Sequence, residues 1–398
     1  MILRKNTGFS SDTCYNVGRL RTKGGLFMDH PIVLLDLQGH STSDTKPLML
    51  HTVLFCPVLT WVCQELSGCG AQRFFIVCDE TWQAEARQAL TDYENTVFFS
   101  SAAEAAEAAG EAELLVIPSA VLPVMAYGTS PCYGISAGAL REHLNAGAAL
   151  SAAPETAREA LGWLPVTSPA QLGQSVSLCQ SMILQRHMEQ GVTVLDPSAT
   201  YVDPRCTIGA DTLLLPGTIL RGKTSIGCGC EIGPQAMIRD CSIGDHTVVN
   251  ASQLNESTVG SHTNVGPFAY VRPGSRIGDG VKVGDFVEVK NSVIGNDTKI
   301  SHLTYVGDSD VGQRVNFGCG TVTVNYDGYE KFRCTIGDDV FLGCNTNLVA
   351  PVTVESGAYT AAGSTITKDV PSGDLGIARV RQTNLSGWVA RFGKRHHK

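Results

Sequence analysis

From Val202 onward an aliphatic residue, often followed by Gly, returns about every six positions: Ile208, Leu214, Leu220, Ile226, Ile232 and Ile238. After a five-residue step it continues through Ile243, Val249, Leu254, Val259, Val265, Val271, Ile277 and Val283. The series runs on through Ile294, Ile300, Val306, Val311 and Phe317, is interrupted, and resumes at Ile336, Leu342, Leu348, Val354 and Ile366. A period this short, held this long, is the hexapeptide pattern of a parallel β-helix. Each hexad supplies one short strand and one turn, and three hexads close a triangular coil. The aliphatic side chain points into the prism, a small residue fits beside it, and Gly or Asn serves where the backbone turns tightly. A coil alone leaves its edges open, so the array is stable only as a stack. Handedness does not follow from the spacing.

Before residue 192 the pattern is different. Strand-like runs alternate with helical stretches: Ile32–Leu35, a helix around Pro57–Leu66, Phe74–Cys78, a helix around Trp82–Leu90, and Leu114–Ile117. That alternation reads as α/β with a mostly parallel sheet. A helix is expected near residues 169–190, capped by Ser168 with Pro169 at its first position and stopped by Gly191. Its apolar positions Leu172, Val176, Cys179 and Ile183 share one face, as a connector between two domains would require.

Composition narrows the class. Of 398 residues 43% are apolar and 17% charged, which suits a globular chain. No run approaches the roughly 18–20 apolar residues that span a bilayer, so no membrane partner is expected. The net charge of −8 disfavours nucleic acid as the main partner. Fourteen cysteines are scattered with no C-x-x-C pair, so they read as small apolar fillers of a narrow coil rather than as a disulfide frame or a zinc site. That usage fits a reducing cytoplasm. The first 27 residues are basic, through Arg4, Lys5, Arg19, Arg21 and Lys23, and contain no signal-peptide-like apolar stretch.

Hexads alone would also suit a structural solenoid, so chemistry has to be sought where they are broken. A polar loop, Thr323–Cys334, is extruded between two hexads, and the repeats before it carry Arg272, Glu288, Lys290, His302, Tyr305 and Asn316. With about eighteen residues to a coil, Arg272 and Lys290 fall one coil apart on the same face. Two cations stacked about 5 Å apart repel unless an anion lies between them, and a phosphate suits that position, with Lys331 of the loop as a third donor. A neutral imidazole at His302 can take a proton from an amine as its nitrogen attacks a thioester.

The stretches Gly266-Pro-Phe-Ala-Tyr-Val-Arg-Pro-Gly274, Val283-Gly-Asp-Phe-Val-Glu-Val-Lys290, His302-Leu-Thr-Tyr-Val-Gly-Asp308 and Asn325-Tyr-Asp-Gly328 together resemble one family. So do Ile336-Gly-Asp-Asp-Val-Phe-Leu-Gly343 and Leu348-Val-Ala-Pro-Val-Thr353. It is the bifunctional N-acetylglucosamine-1-phosphate uridyltransferase/glucosamine-1-phosphate acetyltransferase family of bacterial cell-wall precursor synthesis. The match covers roughly residues 192–392. It implies a left-handed β-helix acting as a homotrimer with sites between subunits, acetyl-CoA as co-substrate, an amino-sugar phosphate as acceptor, and no metal for acetyl transfer. His302 resembles the family's base. Arg272, Lys290 and Lys331 match residues that hold the sugar phosphate, and Tyr305, Asn316 and Asn325 those that orient the sugar. Tyr326, Ala362 and Arg379 match acetyl-CoA contacts, with Cys344 where the family usually has Ser and Cys319 where it has Ala.

The N-terminal half resembles that family's nucleotidyltransferase domain in a degenerate form. In Val33-Leu-Leu-Asp-Leu-Gln-Gly-His40 only Gly39 of the phosphate-cradling loop remains. Ser41 replaces the expected Arg, Leu48 stands where a catalytic Lys belongs, and Leu114-Leu-Val-Ile-Pro-Ser119 lacks its metal-binding Asp. Tyr133-Gly-Ile-Ser arrives too soon for a full sugar-nucleotide site. The resulting expectation is a basic leader (1–27), a degenerate nucleotidyltransferase-like, Rossmann-like α/β domain (28–167), a connector helix (168–191), a left-handed β-helix acetyltransferase domain (192–370) and a tail (371–398). The function implied is acetylation of glucosamine-1-phosphate for UDP-N-acetylglucosamine synthesis. A chain retaining both activities and a non-catalytic scaffold are the alternatives.

Overall fold

The computed structural model describes residues 32–38, 45–125 and 131–392. The basic leader (1–27), Gly39, Ser41 and the last six residues of the tail lie outside the described residues. The chain divides into two compact units: one holds the N-terminal part up to Gln190 with segments 201–207 and 220–223, and the other holds the remainder.

In the first unit Ile32–Asp36 lies between Arg73–Val77 and Glu113–Ile117, and Thr96–Phe99 extends the sheet, all four parallel. Tyr133–Ser136 and Arg158–Glu159 continue it antiparallel beyond Glu113–Ile117. The central strands are unbroken apolar runs because both faces are covered: Val33, Leu34, Leu35, Leu114, Val116 and Ile117 are fully buried. The helices expected around Pro57–Leu66 and Trp82–Leu90 form as Val58–Gly68 and Glu80–Ala89. The second starts at Asp79, whose carboxylate accepts from the Thr81 N–H at 2.9 Å. Short helices Ala102–Ala108 and Ala137–Asn145 are additional. The helix expected over 169–190 is broken into Pro169–Gln174 and Val176–Glu189. Ser168 caps the first piece by accepting from the Gln171 N–H at 3.2 Å, as read from sequence. The break falls at Ser175, whose hydroxyl bonds back to the Gln171 carbonyl at 2.9 Å.

The second unit is a left-handed parallel β-helix of hexapeptide repeats. Its strands fall into three parallel sheets of eleven, ten and nine; from Leu213–Leu214 to Thr365–Ile366 each pairs with the strand three places earlier, and Leu375–Gly376 pairs with Tyr359–Thr360, two places earlier. Face one includes Lys282–Asp285, Lys299–His302, Asn316–Phe317 and Phe341–Leu342. Face two includes Glu288–Lys290, Tyr305–Gly307 and Val322–Val324, and face three Ser309–Val311 and Cys334–Ile336. Every aliphatic position of the hexad series is buried, among them Leu214, Val249, Val283, Ile300 and Leu348. The small interior partner is often Thr: the Thr263 hydroxyl donates to the Gly278 carbonyl at 2.9 Å and accepts from the Val281 N–H at 3.1 Å. Corner carbonyls that no strand reaches are satisfied in this way. Cys206, Cys230, Cys241 and Cys334 are buried fillers, but Cys228 and Cys344 are exposed and Cys319 half-exposed. The filler reading therefore does not extend to those three.

Candidate active site

His302 ends its strand on face one, and Asp285 ends the strand one coil earlier; the two are register partners. Strand spacing therefore brings their side chains together, and His302 Nδ1 lies 2.6 Å from Asp285 Oδ1. Both remain open to solvent, at 55% and 39% exposure. The hydrogen bond from His302 holds the Asp285 carboxyl below its ordinary value against partial desolvation, with the Lys282 charge assisting. The backbone is fixed on both sides: the Leu303 N–H donates to the Asp285 carbonyl at 3.0 Å, and the Thr304 hydroxyl donates to the His302 carbonyl at 2.7 Å. Gly284 allows this closeness, since a Cβ there would stand 2.0 Å from the Ser301 carbonyl oxygen.

Register carries the same file along the prism. Lys299 and Ile300 pair with Asn316 and Phe317, so Cys319, two residues past Phe317, holds the position in its coil that His302 holds in the coil before. Phe317 pairs with Leu342, so Cys344 follows Cys319, and the Asn345 N–H donates to the Cys319 carbonyl at 2.8 Å. Ala362 comes next, with the Gly363 N–H on the Cys344 carbonyl at 2.8 Å. The Arg379 stem approaches there too: a Cβ on Gly363 would lie 3.8 Å from Arg379 Cδ. The corner between faces one and two thus carries Asp285, His302, Cys319, Cys344 and Ala362 in one line.

A second cluster stands on face two. The Asp308 carboxylate, 6% exposed, accepts from Lys290 Nζ at 3.1 Å and from Asn291 Nδ2 at 2.6 Å, and Asn325 Nδ2 also donates to it. Burial works to raise Asp308, yet the donors Asn291, Lys290 and Asn325, with the Lys290 charge, hold it below its ordinary value. Burial likewise works to lower Lys290, and its contact with Asp308 keeps the ammonium above the usual lysine value. Lys331 is also among the groups that raise Lys290. The Tyr305 hydroxyl lies 3.4 Å from Asn325 Nδ2 and over Gly307, where a Cβ would come within 2.3 Å of it.

Arg272 lies one coil before Lys290, with its N–H on the Val289 carbonyl at 2.8 Å. Contrary to the expectation from spacing, the two cations are not bare, because each has its own carboxylate. Arg272 Nη1 is 2.7 Å from Glu288 Oε1, and Lys290 is paired with Asp308. An anion bound here would add to two existing ion pairs rather than fill a gap between bare cations. Asn316 is not brought into this cluster: it lies on face one, in register with Lys299 and Phe341. The loop after Val324 folds back through a bridge between Tyr326 and Lys331, and Asp327 Oδ1 accepts from the Tyr329 and Glu330 N–H groups at 2.8 Å each. The Tyr326 hydroxyl donates to the Gly328 carbonyl at 2.6 Å. Arg333 anchors the loop by a forked contact to Asp310, at 2.9 and 2.6 Å.

Asp285, Asp308, Asn291 and Gly307 are the site residues that the motif reading passed over. Their signal is arithmetic, since Asp285 precedes His302, and Asn291 precedes Asp308, by one coil of seventeen residues. In the first unit Leu48 is buried in a helical turn, Leu48–Leu50, and Ser119 is buried beyond its strand. Among the described residues, no group of three or more His, Cys, Asp or Glu is placed to hold a metal ion, and no helix is long and apolar enough to cross a membrane.

Residues 256–291 match the bacterial transferase hexapeptide family (six repeats). A protein named bifunctional protein GlmU from Caldanaerobacter subterraneus subsp. tengcongensis is 52% identical over 245 residues, which are 62% of this chain and 53% of that one. The protein of the same name from Thermoanaerobacter pseudethanolicus is 54% identical over 224 residues, 56% of this chain and 49% of that one. Among solved structures, a perosamine N-acetyltransferase from Caulobacter crescentus, with CoA and GDP-perosamine bound, is 25% identical with a TM-score of 0.26 and covers 29% of this chain and 53% of its own. A UDP-N-acetylglucosamine acyltransferase from Francisella novicida is 15% identical with a TM-score of 0.29, covering 51% of this chain and 75% of its own. The chain is a relative of the proteins named bifunctional GlmU and spans about half the length of those it matches.

Proposed function

We propose that the chain transfers an acetyl group from acetyl-CoA to the amine of an amino-sugar phosphate, most simply glucosamine-1-phosphate, in the supply of UDP-N-acetylglucosamine. The observation that carries this reading is the line of Asp285, His302, Cys319, Cys344 and Ala362 beside the Lys290–Tyr305–Asn325 cluster. His302 would take a proton from the sugar ammonium. The freed nitrogen lone pair attacks the thioester carbonyl, the C–N bond forms, the C–S bond breaks, and a proton passes to the departing thiolate. Lys290, with Arg272 and Lys331, would hold the phosphate, while Tyr305 and Asn325 orient the ring. Tyr326, Cys344, Ala362 and Arg379 would line the donor's track. The test is purified protein with acetyl-CoA and a panel of amino-sugar phosphates, following thiol release. Release with glucosamine-1-phosphate supports the reading, and release with no member of the panel sinks it.

The same reading makes the working form a homotrimer. Phe268 and Phe286 stack at 5.5 Å, and with Leu303 they form a column in which each residue is 58–59% exposed. A contiguous apolar edge of this kind wants cover. Asn316 lies on a different face from Lys290, so its role with the sugar would require a site completed by a neighbouring copy. Light scattering at micromolar concentration should return the mass of three chains, and a single-chain mass rules the assembly out.

A second reading retains nucleotidyl transfer, since the relatives are named bifunctional. With a buried leucine at position 48 and no carboxylate at position 119, the groups that would stabilise charge in that reaction are missing. The chain is therefore expected to release no magnesium-dependent pyrophosphate from UTP and N-acetylglucosamine-1-phosphate. Release above that of a variant lacking residues 1–165 would restore the bifunctional reading.

A further inference from the structure

The His302–Asp285 contact has a geometry that an incidental surface ion pair lacks. Both side chains leave strand residues that are exact register partners, so the backbone ladder sets their separation. The Thr304 hydroxyl and the Leu303 N–H pin the turn that follows, and Gly284 removes the Cβ that would push the two coils apart. The carboxylate meets Nδ1 and leaves Nε2 without a partner among the described residues. An ionised carboxylate can only accept, so Nδ1 must carry the proton in the neutral ring and Nε2 must present the lone pair. Free imidazole side chains in water favour the opposite arrangement, with the proton on Nε2.

We propose that Asp285 is a positioning residue for His302, holding the neutral imidazole in its Nδ1–H form so that Nε2 is the atom that receives the amine proton. This rests on the acetyl-transfer reading for its consequence but not for its chemistry. During the step one ammonium proton moves to Nε2 and the ring becomes an imidazolium facing the Asp285 carboxylate; the nitrogen's second surplus proton passes to the departing thiolate as the amide forms, and Nε2 then releases its proton to solvent. Asp285 itself stays ionised throughout. It orients the ring and offsets the transient positive charge. The neighbouring charge on the same face is Lys282, one coil below Lys299. It lies on the Asp285 side of the pair and favours the ionised carboxylate.

Solid-state NMR of protein labelled with 15N-histidine, with the His302 signals identified by their loss in His302→Ala, separates this proposal from the functional reading. At a pH where the ring is neutral, the parent should show His302 protonated at Nδ1 and bare at Nε2. Asp285→Ala should shift the population toward Nε2–H, and Asp285→Glu should restore part of the parent pattern. In the acetyl-transfer assay Asp285→Ala should lower kcat about tenfold or more with KM for both substrates little changed, because an orienting hydrogen bond acts on the step and not on binding. Finding Nε2–H at His302 in the parent, or the same tautomer in parent and Asp285→Ala, overturns the proposal whatever the activity. If the tautomer responds as expected but His302→Ala still turns over, the positioning stands and the base assignment falls.

Discussion

His302→Ala is expected to abolish measurable acetyl transfer while acetyl-CoA binding stays close to that of the parent. An amino-sugar amine is largely protonated near neutral pH, and an ammonium has no lone pair with which to attack a thioester. A positioned base is worth about 10²–10⁴-fold in such a step. The loss should fall on kcat, because the imidazole is 55% exposed at the corner and packs against little except Asp285. Donor binding, assigned to Cys344, Ala362 and Arg379 on later coils, should be untouched in a calorimetric titration. Lys290→Ala is the useful contrast: it removes the ammonium proposed to hold the phosphate, so KM for the sugar should rise more than kcat falls. Turnover by His302→Ala within about threefold of the parent, far inside the general-base range, would make His302 an ordinary surface histidine.

The β-helix is legible in the sequence because its period is enforced by sterics at every coil. The prism interior takes an apolar side chain, aliphatic throughout the series except at Phe317, so the positions from Ile208 through Ile366 recur and are buried. The α/β unit is legible where both faces of a strand are covered, as at Ile32–Asp36 and Glu113–Ile117, which read as unbroken apolar runs. Thr96–Phe99 lies at the sheet edge with its side chains only half-buried, so its pattern carries little contrast. Ala102–Ala108 has too few large apolar residues to show a helical stripe, although Ser101 caps it by accepting from the Glu104 N–H at 3.3 Å. The break at Ser175 depends on one hydroxyl turning back on the Gln171 carbonyl, a choice that residue type alone does not determine.

For the candidate site, the motifs singled out residues but not their partners. Asp285 and Asp308 sit in ordinary hexads, and each becomes a partner of His302 or Lys290 only once the coils stack in register. Arg272 and Lys290 do share one face, but the same stacking delivers Glu288 and Asp308 to them, so the two cations need no further anion between them. Asn316, matched to the sugar by resemblance alone, lies on another face of the prism from Lys290, which the motif could not show.

Asp308→Ala is expected to destabilise the protein by about 2–4 kcal/mol, the second-largest effect foreseen, because it removes the one carboxylate shared by three donors. The substitution leaves the Lys290 ammonium, 18% exposed, without its counter-charge, and the amides of Asn291 and Asn325 without their acceptor. Access of Lys290 to water keeps the cost below that of a fully enclosed charge. The acid limb gives a second readout with a definite sign. Asp308 is held below its ordinary value in the folded chain, so the stability it contributes is fully present above the unfolded carboxyl value of about 3.9. That contribution is lost as pH falls through the lower folded value, where parent and variant should converge. Urea midpoints measured from pH 7 down to pH 3 should therefore show the gap between parent and Asp308→Ala widest near neutrality and narrowing below about pH 4. A gap that is under 0.5 kcal/mol at pH 7, about the size of an ordinary surface substitution, would mean that the Lys290–Asp308 contact contributes no more than an exposed ion pair. Asp308→Asn, which keeps one carbonyl acceptor but no charge, should fall between the two and isolate the electrostatic share.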